Sequence, residues 1–73
     1  MSAQEESVRG TVKEALPNTM FRVELAEGTS KGETLVCYLA GKMRLHRIKV
    51  LVGDTVDVLL DPYGGKGRIV RRG

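Results

Sequence analysis

The stretch Met20-Phe21-Arg22-Val23-Glu24-Leu25 alternates without a break. Phe21, Val23 and Leu25 fall on one side, and Met20, Arg22 and Glu24 on the other. Successive side chains of an extended strand point to opposite faces, whereas the apolar positions of a helix recur every three or four residues. The stretch therefore predicts a half-buried β-strand. The same alternation appears upstream, where Val8, Gly10 and Val12 interleave with Arg9, Thr11 and Lys13. Between the two runs, Leu16-Pro17-Asn18-Thr19 has the residues of a turn. Downstream, Ala26 to Gly32 (AEGTSKG) is small, polar and glycine-containing, which predicts a hairpin loop. A third strand is expected over about Glu33 to Leu39.

Ala40-Gly41 then interrupts the pattern, and Lys42 to Val50 (KMRLHRIKV) is compatible with about two helical turns. Val52-Gly53-Asp54 reads as a turn. Alternation returns over Thr55 to Leu60, with Val56, Val58 and Leu60 on the inward side. Asp61 to Gly65 is a loop, and Lys66 to Arg72 a very basic last strand with Ile69 inward. Three strands, a short helix and two strands match the all-β, five-stranded Greek-key barrel known as the OB-fold, with the helix between strands 3 and 4. An SH3-like barrel is the alternative, but it usually lacks that helix. The expected organisation is a flexible tail over residues 1–7 and one OB-fold domain over 8–73.

The length of 73 residues limits the chemistry. So short a chain buries only about 60–65% of its unfolded surface, enough for one modest core and too little for a deep, water-excluding active site. The single cysteine, Cys37, cannot form an intrachain disulfide and lies in an apolar run, where it reads as a small, half-buried strand residue. One Cys and one His do not supply a zinc site. No phosphate-binding glycine loop, HExxH motif or paired-carboxylate arrangement is evident. The expectation is a protein that is not an enzyme and needs no cofactor or metal. The first seven residues, MSAQEES, have neither a basic leader nor an apolar core, so no signal peptide is expected. No apolar run approaches the roughly 20 residues of a membrane span. The expected compartment is the cytoplasm, or a comparable reducing space such as a plastid stroma.

Charge is unevenly placed. Residues 1–41 carry a net charge of −2, and residues 42–73 carry +5. The basic residues of the second part are Lys42, Arg44, Arg47, Lys49, Lys66, Arg68, Arg71 and Arg72. Clustering of this kind is the electrostatic footprint of a polyanion binder. Lys and Arg neutralise phosphates and release their counterions, and the arginine fork also grips a phosphate with two hydrogen bonds or stacks on a base.

Four separated segments carry a more specific signal: EALPNTMFRVEL (Glu14 to Leu25), GKMR (Gly41 to Arg44), IKVLVGDTVDVLLDPY (Ile48 to Tyr63) and KGRIV (Lys66 to Val70). In type and order they closely resemble bacterial translation initiation factor one, over about Val8 to Arg72. The resemblance implies an OB barrel without catalytic activity. It implies binding to the small ribosomal subunit at the decoding (A) site through rRNA and neighbouring ribosomal proteins, blocking premature tRNA entry, and cooperation with initiation factors two and three. It also implies a monomer when free. Carried onto this chain, the rRNA-binding residues are Lys42 and Arg44 of GKMR, His46, Arg47 and Lys49 just beyond, Lys66 and Arg68 of KGRIV, and Arg71 and Arg72 at the basic end. Arg22, outward on its strand, and Tyr63 complete the set. Two loops depart from the family: the connection over Ala26–Glu33 is longer than its usual tight turn, and Gly64-Gly65 stands where an aspartate commonly follows the Pro-Tyr pair.

The aromatic residues are only Phe21, Tyr38 and Tyr63. Binders of unstructured single strands stack successive bases on exposed aromatics. Their scarcity points to a folded RNA surface read by shape and charge, with one or two bases held by Arg or Tyr63. An RNA chaperone of cold-shock type and a structural ribosome-associated protein are the alternative readings.

Overall fold

A computed structural model describes residues 7–28, 31–60 and 66–73. The strands are β1 (Ser7–Leu16), β2 (Met20–Leu25), β3 (Thr34–Leu39), β4 (Thr55–Leu59) and β5 (Gly67–Arg72), with one helix, α1 (Gly41–Leu45), between β3 and β4. They close into a barrel in the order β1-β2-β3-β5-β4. This is the OB-fold, as the strand order of the sequence predicts. Of the expected tail, residues 1–6 lie outside the described residues, and Ser7 opens β1.

The alternation that defines β2 sets the core. Phe21, Val23 and Leu25 are buried, and Phe21 and Val23 join Val12 of β1, Cys37 and Leu39 of β3, Val56 and Val58 of β4, and Ile69 of β5 in one core cluster. Among the described residues no polar or charged side chain is buried. The barrel is therefore held by apolar burial, at about 25 cal/mol per Å², and by ladder hydrogen bonds. β1 runs longer than its alternating portion because a bulge between Val12 and Glu14 shifts its register against β2. Such a bulge bends a strand, so that β1 can pair with β2 along one edge and β4 along the other.

Closure depends on a short parallel seam, in which Cys37, Tyr38 and Leu39 of β3 face Gly67, Arg68 and Ile69 of β5. A Cβ on Gly67 would stand 2.7 Å from Val58 Cγ1 and 2.9 Å from Cys37 Sγ. The glycine is thus what lets β5 approach so closely. Cys37 is fully buried there rather than half-buried, and burial pushes its thiol from 9.0 up to about 11, against a smaller opposing effect of a backbone hydrogen bond from Gly67.

Two sequence expectations differ in extent. The helix is one turn long and ends at Leu45, not at Val50. It stops because Arg47 takes the left-handed conformation, with φ of 55°. The Ile48 N–H then donates to the Met43 carbonyl at 3.0 Å, and the Arg47 N–H to the Arg44 carbonyl at 3.1 Å. This pair of bonds is the Schellman termination of a helix. Beyond this turn Val50 joins Met43 in the core. Leu60, expected inward, is 36% exposed. The last pairing of β4 with β5 is Leu59 with Arg68, so no strand covers the next residue. The expected turn before β4 is present. Asp54 Oδ2 accepts from the Leu51 N–H at 2.8 Å, and the Gly53 N–H donates to the Val12 carbonyl at 2.8 Å, docking the turn on β1.

Candidate nucleic-acid interface

The sequence places its basic cluster in two separate segments, and the fold brings them together. α1 packs beside β5 at one end of the barrel. Met43 is only 1% exposed and anchors the helix in the core, which leaves Lys42 and Arg44 on its exposed side. His46 and Arg47 lie on the Schellman turn and Lys49 on the segment that follows, all exposed. On β5 the inward positions are Gly67 and Ile69, so Arg68 faces out, and Lys66, Arg71 and Arg72 are exposed as well. Between helix and strand runs an open groove of about 380 Å³. Met43, Ile48 and Val70 give it apolar surface, while Lys42, His46, Arg71 and Arg72 supply its polar border. An apolar surface bordered by cations suits a nucleotide, whose base is flat and apolar on its faces and whose phosphate is anionic.

The cations differ in what they already hold. Arg22 Nη1 donates to Glu14 Oε1 at 2.7 Å across the β1–β2 pair. Lys13 lies 3.3 Å from Glu24. Arg9 and Arg71 lie 3.5 and 3.9 Å from the two carboxylate oxygens of Asp57. Arg72 Nη1 donates to the Lys49 carbonyl at 3.0 Å, tying the segment after α1 to the end of β5. By contrast Lys42, Arg44, Arg47, Lys49, Lys66 and Arg68 have no carboxylate within ion-pair distance among the described residues. Exposed ion pairs are worth only about 0–1 kcal/mol, so pairing does little for stability. It does cancel the local field, so the unpartnered cations dominate the attraction for a polyanion.

A sequence model of the family described as "Translation initiation factor 1A / IF-1" matches residues 1–73. The chain belongs to this family. Solved structures agree. One similar chain is translation initiation factor one from the Wolbachia endosymbiont strain TRS of Brugia malayi, with 35% identity and a TM-score of 0.72 over 93% of this chain and 77% of that one. Another is YjeQ from Thermotoga maritima, with 34% identity and a TM-score of 0.74 over 93% of this chain. This chain spans 23% of the YjeQ chain.

The site residues inferred from sequence fall into two groups in the fold. Lys42, His46, Arg71 and Arg72 line the groove between α1 and β5, with Arg44, Arg47 and Lys49 on or just after α1, and Lys66 and Arg68 at the start of β5. Arg22 is separate and already bonded to Glu14. Tyr63, like Asp61 and Gly64-Gly65, lies outside the described residues. The sequence reading passed over Tyr38, which the fold sets on the outside of β3 beside Arg68. Its signal was legible: Cys37 and Leu39 are inward, so the residue between them must face out. Among the described residues there is no group of His, Cys, Asp or Glu able to hold a metal, and no helix long and apolar enough to cross a membrane.

Proposed function

We propose that the protein is a translation initiation factor that binds the small ribosomal subunit at its decoding (A) site, through rRNA and neighbouring ribosomal proteins. It occupies the site reversibly, keeps tRNA from entering early, and acts together with initiation factors two and three in the cytoplasm. Family membership supports the role in initiation. The observation that carries the binding surface is the set of cations on α1, on the segment after it and on β5 that have no carboxylate partner among the described residues, beside a groove whose charged lining is Lys42, His46, Arg71 and Arg72.

The mechanism follows from this arrangement without a chemical step. Lys42, Arg44, Lys66 and Arg68 meet the phosphates of a folded rRNA surface and displace its counterions. The fold fixes the backbone that carries them, so association orders the side chains and not the chain itself. A body with principal extents of 30 × 26 × 21 Å, seated on the decoding site, excludes tRNA by occupancy.

The test is competition on purified small subunits. The labelled protein is bound at low salt, and a tRNA cognate to an A-site codon is titrated in. Mutually exclusive binding is the expected result. Simultaneous binding of both would remove the decoding site from the proposal, and failure to bind subunits at all would remove the function.

A further inference from the structure

The outer face of the β3–β5 seam carries a row of residues set by register. Met20 of β2 faces Tyr38 of β3, Tyr38 faces Arg68 of β5, and Arg68 faces Leu59 of β4. Tyr38 is 38% exposed, a large aromatic on the surface of a chain that has few. Val36, two residues earlier on the same face of β3, is half-buried, as are Met20 and Leu59. The row thus sets one aromatic ring among partly covered apolar neighbours, with one cation at its side. That cation, Arg68, has no carboxylate partner among the described residues. Arg22, also on the outer sheet face, opposes Val36 and is bonded to Glu14. Among the described residues the charge beside Tyr38 is therefore unpaired, and the charge one row away is paired. Four residues beyond Tyr38 the chain reaches Lys42, so the ring also lies near the start of the helix that bears the cationic end.

From this juxtaposition we infer that Tyr38 is a stacking site for one unpaired nucleobase of the bound rRNA, with Arg68 holding the phosphate of the same or the adjacent nucleotide. The inference rests on the proposed function and adds to it a residue and a mode of recognition. An aromatic face takes any base, because every base presents a π-surface, while the guanidinium fixes where the backbone runs. Stacking displaces no counterions, whereas a phosphate contact does. The two members of the pair therefore have different signatures.

The experiment measures affinity for purified small ribosomal subunits as a function of salt, for the wild-type chain and three variants. Tyr38→Ile keeps a strand-compatible side chain and removes the ring. It is expected to weaken binding roughly 5- to 100-fold, the range for loss of one stacked base, with the slope of log affinity against log salt unchanged. Tyr38→Phe keeps the ring and should bind within about twofold of wild type. Arg68→Gln should weaken binding and flatten the slope by about 0.7–0.9, the signature of one lost phosphate contact. Thermal unfolding of each variant checks that the barrel is intact, and Tyr38→Leu replaces Tyr38→Ile if the latter does not fold. Unaltered affinity in the ring-less variant overturns the inference while leaving the proposed function standing. So does a Tyr38→Phe variant as weak as Tyr38→Ile, which would assign the effect to the hydroxyl. Wild-type protein that does not bind subunits overturns both.

Discussion

The β1–β2–β4 wall and the α1–β5 end of the same barrel handle charge in opposite ways. On the first, Arg9, Lys13 and Arg22 each lie against a carboxylate of a neighbouring strand. On the second, Lys42, Arg44, Arg47, Lys49, Lys66 and Arg68 have none among the described residues. A net charge of +3 describes the chain as a whole but neither region. The difference teaches that basic residues are not equivalent evidence for RNA binding. A cation already paired has its field cancelled by its partner, and a cation left open contributes field to its surroundings.

The seam that joins the two regions is the most sensitive place to break the comparison. Gly67→Ala puts a methyl within 3 Å of both Val58 and Cys37, two residues with no exposure at all. Neither can retreat without disturbing the packed core, so the variant should lose about 3 kcal/mol, at the upper end of the range for overpacking. Gly41→Ala, at the exposed start of α1, meets nothing within 4 Å and should change stability by less than about 0.5 kcal/mol. Urea unfolding of both variants measures the contrast. Equal effects at the two glycines would mean that β5 does not close against β3 as tightly as described.

Charge itself supplies the next test. Replacing Arg44 and Arg68 together by Gln should weaken binding to small subunits by about 2 kcal/mol and reduce the salt slope by about 1.4–1.8. Replacing Lys13 and Arg22 together removes the same formal charge from the paired wall. It should cost under 1 kcal/mol of binding and leave the slope nearly unchanged, because Glu14 and Glu24 already offset those cations. Salt titrations of the two double variants compare the regions directly. Matching slopes would show that overall charge, not its pairing, governs association.

How much of this was open to reading from the sequence depended on the range of the interaction. The strands were legible because a buried face must alternate, as Phe21, Val23 and Leu25 do, and that rule is local. The barrel followed from the order of strands and helix. The cationic cluster was legible as composition, but its division was not. Arg22 finds Glu14 eight residues away through the β1–β2 hairpin, and Arg72 finds the Lys49 carbonyl across 23 residues. Such pairings arise only once register is set. The short helix failed for another reason. No glycine or proline in KMRLHRIKV marks a stop at Leu45; what ends the helix is Arg47, which takes the left-handed conformation that glycine usually holds there. The outward side of Tyr38 was legible by parity between Cys37 and Leu39, but its neighbour Arg68 comes from the other end of the chain and is set only by register.

Arg47 sharpens the comparison at its smallest scale, within a single residue. It holds φ of 55° at the position after the helix cap where glycine is the most stable choice. A side chain with a Cβ costs roughly 1 kcal/mol more than glycine in that conformation. Arg47→Gly should therefore stabilise the barrel by up to about 1 kcal/mol in urea unfolding while weakening subunit binding several-fold. Arg47→Ala separates the two contributions. It loses the guanidinium but keeps the backbone penalty, so it should bind as weakly as the glycine variant without gaining its stability. If the glycine variant is both more stable and an equally good binder, Arg47 has no part in recognition, and the open cations of the α1–β5 end are fewer than its geometry suggests. If it binds more weakly as predicted, the chain accepts a less stable helix end in order to place a cation there, a compromise typical of residues held for function rather than for the fold.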